Sequence, residues 1–196
     1  MRLASSSTET NQMVSSRRST TQIGRALSTN RSRQEVERII THIADFSTGL
    51  NDALDLHQYS RPLREDMFAT LNGGRYFTHI DLANAYLQIN VDDQSRQLLT
   101  INTHRGIYPY NRLLFGVKSA PPIFQQIMDT TLAGLQGVVA HLDDVIVVER
   151  SVEEHQHNLN AVFQRIADSG LHVRLDKCNF ATTRITYLGC IIDKDV

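Results

Sequence analysis

Residues 138–149 read VVAHLDDVIVVE, two runs of β-branched residues separated by Asp143 and Asp144. This pattern predicts a hairpin of strands 138–142 and 145–149 with two acids at its tip. An unpaired charge beside buried apolar strands is costly. The two aspartates are therefore either turn residues that hydrogen-bond their own backbone or ligands for a hard cation such as Mg²⁺. The spacing of two acids does not decide between these alternatives.

A third carboxylate ends another predicted strand. Residues 76–80, YFTHI, are rich in aromatic and β-branched side chains, and Asp81 follows them directly. In the cation-binding alternative, Asp81 converges with Asp143 and Asp144, because Mg²⁺ prefers carboxylate oxygens together with phosphate ligands.

The remaining elements are predicted from capping signals and periodicity. Ser119 with two following prolines begins one helix, and the capping box from Ser151 to Glu154 begins another that ends at Gly170. Further helices are predicted over 33–45 and 62–71, and further strands over 87–91, 98–101, 171–175 and 185–192. The order β–α–β–β–α–β predicts an α+β fold, a small antiparallel sheet with helices packed on one face.

Composition excludes several classes of protein. The chain has 196 residues and a net charge of -1, so nucleic-acid binding would need a local basic face. No apolar run reaches about 18 residues, and the start lacks an apolar signal core, so we expect no membrane span and no secretion. The expected location is intracellular, in the cytoplasm or nucleus.

The cysteines and two histidines are predicted to be structural or superficial. Cys178 and Cys190 are too few for a disulfide scaffold or a four-ligand zinc site, and we expect both to be small buried residues. His155 and His157 stand two apart on a predicted helix, face different directions and are expected at the surface.

The chain divides into three predicted segments. Residues 1–31 are polar and basic with almost no bulky apolar side chains, which predicts a disordered tail. Residues 32–75 contain lead-in helices. Residues 76–196 contain the predicted sheet with its helices and the three aspartates.

Four motifs occur in a fixed order along this sequence. They are residues 77–86 (FTHIDLANAY), 114–121 (LFGVKSAP), 140–145 (AHLDDV) and 187–189 (YLG). In order and interval they resemble the palm motifs of reverse transcriptases, and most closely those of gypsy-type long-terminal-repeat retrotransposons. The lead-in at 45–51 (DFSTGLN) also resembles these elements. The resemblance covers roughly residues 44 to 196 and implies that 76–196 form a reverse-transcriptase palm with primer-grip strands.

The resemblance implies an RNA-directed DNA polymerase that adds deoxynucleotides to a primer 3′-end by two-metal nucleotidyl transfer. Asp81, Asp143 and Asp144 match the catalytic carboxylates that hold two Mg²⁺ ions, or Mn²⁺ in their place, with Asp144 the weaker contributor. The implied partners are an RNA or DNA template with its primer and deoxynucleoside triphosphates.

Further residues match positions around the substrates. Tyr86 matches the ring under the incoming sugar; the alternative is that it simply packs in the core. Lys177 matches a lysine that assists pyrophosphate departure, although it could be a solvated strand lysine. The other matches are Phe115 and Gly116 in the nucleotide pocket, His141 beside the primer end, and Tyr187, Leu188 and Gly189 in the primer grip.

The sequence also departs from the family. His141 stands where relatives have tyrosine, Leu114 replaces a proline and Pro109 replaces a basic residue. Residues 32–75 resemble only a remnant of the connection between fingers and palm. The basic fingers hairpin, thumb, ribonuclease H and integrase regions have no counterpart in this sequence, so we expect a fragment of a retroelement polyprotein. The alternative function is a catalytically dead remnant that binds nucleic acid or another partner.

Overall fold

The computed structural model describes residues 24–26, 44–46, 49–54 and 57–194. These described residues form two compact units, one from those that fall in the ranges 1–57 and 89–121 and the other from those that fall in 58–88 and 122–196. The strands are β1 (Gly24–Ala26), β2 (Ala44–Asp45), β3 (Tyr76–Asp81), β4 (Thr100–Thr103), β5 (Gly106–Pro109), β6 (Val138–His141), β7 (Asp144–Glu149), β8 (Asn179–Thr182), β9 (Arg184–Tyr187) and β10 (Cys190–Asp193). The α-helices are α1 (Leu50–Ala53), α2 (Arg64–Leu71), α3 (Asp93–Leu98), α4 (Ala120–Thr131) and α5 (Val152–Asp168).

The second unit is built on an antiparallel sheet of four strands in the order β6-β7-β3-β8. Helix α5 packs against β3 and β7, and α2 packs against β6. A separate β9–β10 hairpin joins α2 in covering the sheet face that carries Phe77, Ile146 and Val148. Burying each such side chain stabilises the fold by about 1.5–3 kcal/mol. The expected α+β sheet is therefore confirmed, with α2 adding a layer that periodicity did not place.

The first unit is a sheet in the order β2-β1-β4-β5 with two short helices. Helix α3 begins where the Asp92 side chain accepts hydrogen bonds from the backbone N–H groups of Gln94 and Ser95, both at 2.9 Å. This cap explains why the strand predicted over 87–91 is wrong: residues 85–88 form a 3₁₀ turn and α3 follows. The next strand begins at Thr100 rather than residue 98.

Some of the other predicted helices and strands are confirmed by the structure, and others are wrong. The helices over 62–71, after Ser119 and after Ser151 are confirmed. The strand over 171–175 is wrong, since Val173 forms only an isolated bridge with Leu82. The strand over 185–192 is two strands, because the backbone turns at Gly189, whose φ is 80°.

Part of the N-terminal expectations falls outside the described residues. Strand β1 lies within the range 1–31 predicted to be disordered; the rest of that range lies outside the described residues, and the disordered tail stays a prediction. Ala44 and Asp45 form strand β2 rather than the end of a helix over 33–45, and residues 33–43 lie outside the description. No helix in the described part of the chain is both long and apolar enough to cross a bilayer.

Two predictions of burial are wrong. Cys190 is exposed and Cys178 is only half-buried, because β10 and the turn before β8 lie at the edge of the unit. His155 is buried with 3% of its surface exposed, whereas His157 is exposed as expected. The imidazole of His155 can be buried because it forms a hydrogen bond with the Thr78 hydroxyl at 2.7 Å.

Candidate active site

Two of the predicted aspartates are direct neighbours across the sheet. Asp81 ends β3, Asp144 begins β7, and the two are register partners in the antiparallel ladder. Side chains of opposed residues lie on the same face of a sheet, with Cβ atoms about 4.5–5.5 Å apart. Both aspartates are half-buried. The structure therefore brings these two carboxylates together on the sheet face that also carries Phe77, Ile146 and Val148, at the end where β3 stops and β7 begins.

Asp143 occupies the turn between β6 and β7. Its carbonyl accepts a hydrogen bond from the Leu82 backbone N–H at 2.9 Å, which ties the turn to the end of β3. Burial raises the pKa of the Asp143 carboxyl, and the negative charges of Asp144 and Asp81 raise it further. The three carboxylates thus lie close enough to repel one another, as a cation-binding set does before the cation enters.

The side chain of Gln125 supports the β6–β7 turn through hydrogen bonds, and the sequence analysis did not identify this residue. Its fully buried amide accepts the Leu142 N–H at 2.9 Å and donates to the Ala140 carbonyl at 2.9 Å. Leu142 has a φ of 56°, a conformation that L-residues rarely adopt. Asp129 in turn accepts a hydrogen bond from Gln125 at 2.8 Å. No local sequence signal indicated Gln125, because its burial and its hydrogen bonds to residues 140 and 142 are tertiary features.

His79 is the second missed residue. Its Nε2 donates to Oδ1 of Asp144 at 2.7 Å. This hydrogen bond raises the pKa of His79, and the charges of Asp144, Asp81 and Asp143 add to the effect against the opposing influence of burial. The signal was the period of two in β3, which places His79 and Asp81 on one face.

Lys177 lies beside Asp81 in the structure. Its Nζ is 3.9 Å from Oδ2 of Asp81. The backbone of the same segment is fixed to the strand, because the Arg174 N–H donates to the Asp81 carbonyl at 2.8 Å. The lysine side chain is 54% exposed, so the ion pair is weak and open to exchange of partners.

Tyr86 is close enough to Asp143 for the charge of that carboxylate to affect its hydroxyl. Its ring meets Phe124 edge-on, with centroids 5.4 Å apart at 76°. Burial raises the pKa of the Tyr86 hydroxyl, and the charge of Asp143 raises it further. The half-buried ring packs against Phe124, and both alternatives for Tyr86 stay predictions.

The remaining predicted residues are placed as follows. His141 is half-buried and is the register partner of Asp144 across the hairpin. Tyr187 is buried, and its hydroxyl reaches Sδ of Met67 at 3.9 Å, so its side chain belongs to the core. Leu188 has a φ of 49°, and its carbonyl accepts a hydrogen bond from Arg64 at 2.9 Å. Leu188, partly buried against the core cluster, and the exposed Gly189 form the turn of the β9–β10 hairpin.

Phe115 and Gly116 belong to the first unit. Gly116 has a φ of 92°, and its carbonyl accepts a hydrogen bond from Nδ2 of Asn51 at 2.9 Å. Oδ1 of Asn51 accepts the Lys118 N–H at 2.8 Å, so one amide side chain fixes both ends of this loop. The aromatic ring of Phe115 is half-buried.

The carboxylates do not form a ready cation site. In the described ranges, no group of three or more His, Cys, Asp and Glu side chains is arranged to hold a metal ion. The donor chemistry nevertheless fits Mg²⁺, because all three groups offer carboxylate oxygens. His79 and Lys177 now contact two of these carboxylates and would have to yield to a cation.

Comparison with known proteins decides the family. A family model described as reverse transcriptase (RNA-dependent DNA polymerase) matches residues 18–192. The chain belongs to the reverse transcriptase family. It is 34% identical over 148 residues to the retrovirus-related Pol polyprotein from transposon 297 of Drosophila melanogaster, covering 74% of this chain and 14% of that protein. The Pol polyprotein from transposon gypsy of the same fly is 29% identical over 148 residues, 74% of this chain and 14% of the relative.

An uncharacterized protein of Caenorhabditis elegans is more similar, at 44% identity over 149 residues, 76% of this chain and 12% of that protein. The reverse transcriptase chain therefore spans about an eighth of the length of these relatives. Among solved structures, the foamy viral protease–reverse transcriptase in complex with double-stranded DNA has a TM-score of 0.74 at 21% identity. The match covers 79% of this chain and 27% of that one. This likeness confirms the reverse transcriptase fold.

Proposed function

We propose that this chain is the palm of a retrotransposon RNA-directed DNA polymerase, whose reaction adds deoxynucleotides to a primer 3′-end. The observation that carries the proposal is the pairing of Asp81 with Asp144 across β3 and β7, with Asp143 on the adjoining turn. Family membership gives this carboxylate set its chemistry, nucleotidyl transfer.

Asp81 and Asp143 are the residues that would hold the divalent ions, Mg²⁺ or Mn²⁺, with Asp144 contributing once His79 releases it. When bound, such ions activate the primer hydroxyl and stabilise the charge on the leaving pyrophosphate. The partial burial of Asp81 and Asp144 strengthens these electrostatic interactions relative to bulk water. The mutual repulsion that raises the pKa of Asp143 favours uptake of positive charge.

Neighbouring side chains would orient the substrates. Lys177 lies close enough to Asp81 to move onto the leaving pyrophosphate and deliver a proton there. Tyr86, braced edge-on by Phe124, presents a fixed ring that would exclude a ribose 2′-hydroxyl. The turn at Leu188 and Gly189 would contact the primer through its backbone, since the Tyr187 side chain is buried.

The proposed partners are an RNA or DNA template with its primer and deoxynucleoside triphosphates. Two foamy viral neighbours were solved with double-stranded DNA and with an RNA/DNA hybrid, which supports a duplex as the ligand class. Because the chain spans about an eighth of its relatives, we propose that fingers, thumb, ribonuclease H and integrase segments complete its action. Such a polymerase would act inside the cell, in the cytoplasm or nucleus.

The second candidate function is a remnant that binds nucleic acid without turnover. His79 and Lys177 hold two of the carboxylates, and His141 stands where relatives have tyrosine. Positioning of the triphosphate supplies much of the acceleration in phosphoryl chemistry, so the chain by itself should not extend a primer measurably.

Primer extension on an RNA template with Mg²⁺ separates the two candidates. The test compares the unmodified chain, a chimera with a relative's fingers grafted before Asp45 and its thumb added, and the same chimera carrying Asp143→Asn. The polymerase proposal predicts extension by the chimera that the Asp143→Asn version loses. A folded chimera that binds primer–template duplex but extends nothing would favour the remnant.

A further inference from the structure

The edge strand β8 contains a bulge directly opposite Thr78. Along the β3–β8 ladder, Phe77 pairs with Thr182, whereas His79 pairs with Asn179. Two residues of β8, Phe180 and Ala181, therefore stand opposite the single residue Thr78. Ala181 has a φ of 48°, so its backbone is in a conformation that alanine rarely adopts.

A side-chain hydroxyl replaces the ladder partner lost at this bulge. Oγ1 of Thr78 accepts the Ala181 N–H at 3.0 Å and also lies 2.7 Å from Nε2 of His155 on α5. Thr78 has none of its surface exposed and His155 only 3%. A fully buried N–H without a partner would cost about 1–3 kcal/mol; Ala181 lies on an exposed edge strand, so this partly buried contact supports the bulge by a smaller amount.

The direction of the Thr78–His155 hydrogen bond follows from counting partners. If Thr78 donates to Nε2, the imidazole proton is on Nδ1, and Nδ1 is left without a partner, as observed among the described buried atoms. If Nε2 donates instead, both Nδ1 and the Thr78 hydroxyl hydrogen are unpaired. The first arrangement leaves fewer buried groups unsatisfied and is therefore favoured.

We propose that Thr78 and His155 are positioning residues that fix the register of β8 and so hold Lys177 beside Asp81. This inference rests on the proposed function for its catalytic meaning. Lys177 stands two residues before β8, and Cys178 between them is half-buried. A register slip of one residue moves every side chain of a strand to the opposite face, so an unsupported bulge would displace this whole edge.

The test uses nuclear magnetic resonance of the full chain and needs no polymerase activity. In the unmodified protein, the imidazole ¹⁵N shifts should show His155 with its proton on Nδ1. In Thr78→Val, which keeps the shape and removes the hydroxyl, the Ala181 amide should exchange with solvent about tenfold faster. The Val148 amide, bonded to the Gly137 carbonyl at 2.8 Å, serves as the internal reference and should not change.

Thr78→Ser keeps the hydroxyl, so the Ala181 amide should still exchange slowly. The amide chemical shifts of Lys177 and Cys178 should stay unchanged in Thr78→Ser and should move in Thr78→Val. Unchanged Ala181 exchange in Thr78→Val, equal acceleration at Val148, or a proton on Nε2 in the unmodified chain would overturn the proposal. A failure to bind Mn²⁺ with these exchange results intact would count against the proposed function and leave the bulge support standing.

Discussion

His79 donates a hydrogen bond from Nε2 to Oδ1 of Asp144 at 2.7 Å, inside the carboxylate set proposed to hold the divalent ions. The two residues lie on one face of the sheet, two positions apart in register along β3 and β7. Histidine therefore competes with a cation for one oxygen of Asp144. A cation that uses this oxygen of Asp144 must displace the His79 imidazole first.

Replacing His79 should strengthen cation binding. In His79→Ala, Asp144 loses the competing donor, and the dissociation constant for Mn²⁺ should fall by about threefold or more, since a hydrogen bond to a charged group contributes about 1.5–3 kcal/mol before solvent screening. Titration followed by the Mn²⁺ spin resonance signal measures this. His157→Ala, an exposed histidine on α5, is the control and should leave the affinity unchanged.

Removing the amide behind the turn should destabilise the second unit. Gln125→Leu leaves the Leu142 N–H and the Ala140 carbonyl without partners, at a cost of about 2 kcal/mol, and should lower the melting temperature by about 4–8 °C. Gln164→Leu removes a similar glutamine–aspartate hydrogen bond at an exposed position of α5. This change should shift the melting temperature by under about 1 °C. Equal effects of the two changes would refute a special role for Gln125.

Acid should destabilise the fold through His155. Burial lowers the pKa of His155, so protons bind more readily in the unfolded chain, and its contribution to stability is complete above about pH 6.5. That contribution is lost as the pH falls below 6.5 toward the folded-state pKa. Urea unfolding between pH 7.5 and 5 should show a smaller acid loss in His155→Phe than in His157→Phe. Parallel curves for the two variants would contradict this assignment.

Neutralising Asp143 should stabilise the protein while removing its chemistry. Burial and the charges of Asp144 and Asp81 raise the pKa of Asp143, so its ionised form is disfavoured in the folded state. Asp143→Asn should raise the melting temperature by about 1–2 °C at neutral pH. The gain should shrink in 1 M salt, because screening weakens repulsion between partly exposed charges. A gain in melting temperature that does not depend on salt would contradict the role of charge repulsion and leave burial of Asp143 as the cause.

Local sequence patterns predicted the strands of the site better than the side chains that hold those strands in place. The hairpin carrying Asp143 and Asp144 was readable because β-branched runs flank the acids, and capping signals located α4 and α5. The strand assigned to 87–91 failed because alternation also fits a 3₁₀ turn followed by a capped helix. Period alone could not separate these outcomes.

The residues that hold the site in place come from distant parts of the chain. His155 contacts Thr78 across 77 positions, so its burial depended on a tertiary hydrogen bond that no local pattern encodes. The contact of His79 with Asp144 spans 65 positions and required the strand register. Capping and periodicity operate within a few residues, which is why they identified neither His79 nor His155 as a partner; Lys177 was predicted through the family resemblance instead.

The central claim, that Asp81 and Asp143 hold a catalytic divalent ion, is tested most directly by counting bound Mn²⁺ by spin resonance. The unmodified chain should bind Mn²⁺ weakly and release it to excess Mg²⁺. Asp81→Asn and Asp143→Asn should each weaken binding by about tenfold or more, while Asp176→Asn, on the exposed turn before β8, should not. Binding of equal strength in all four proteins, or in none, would contradict the account.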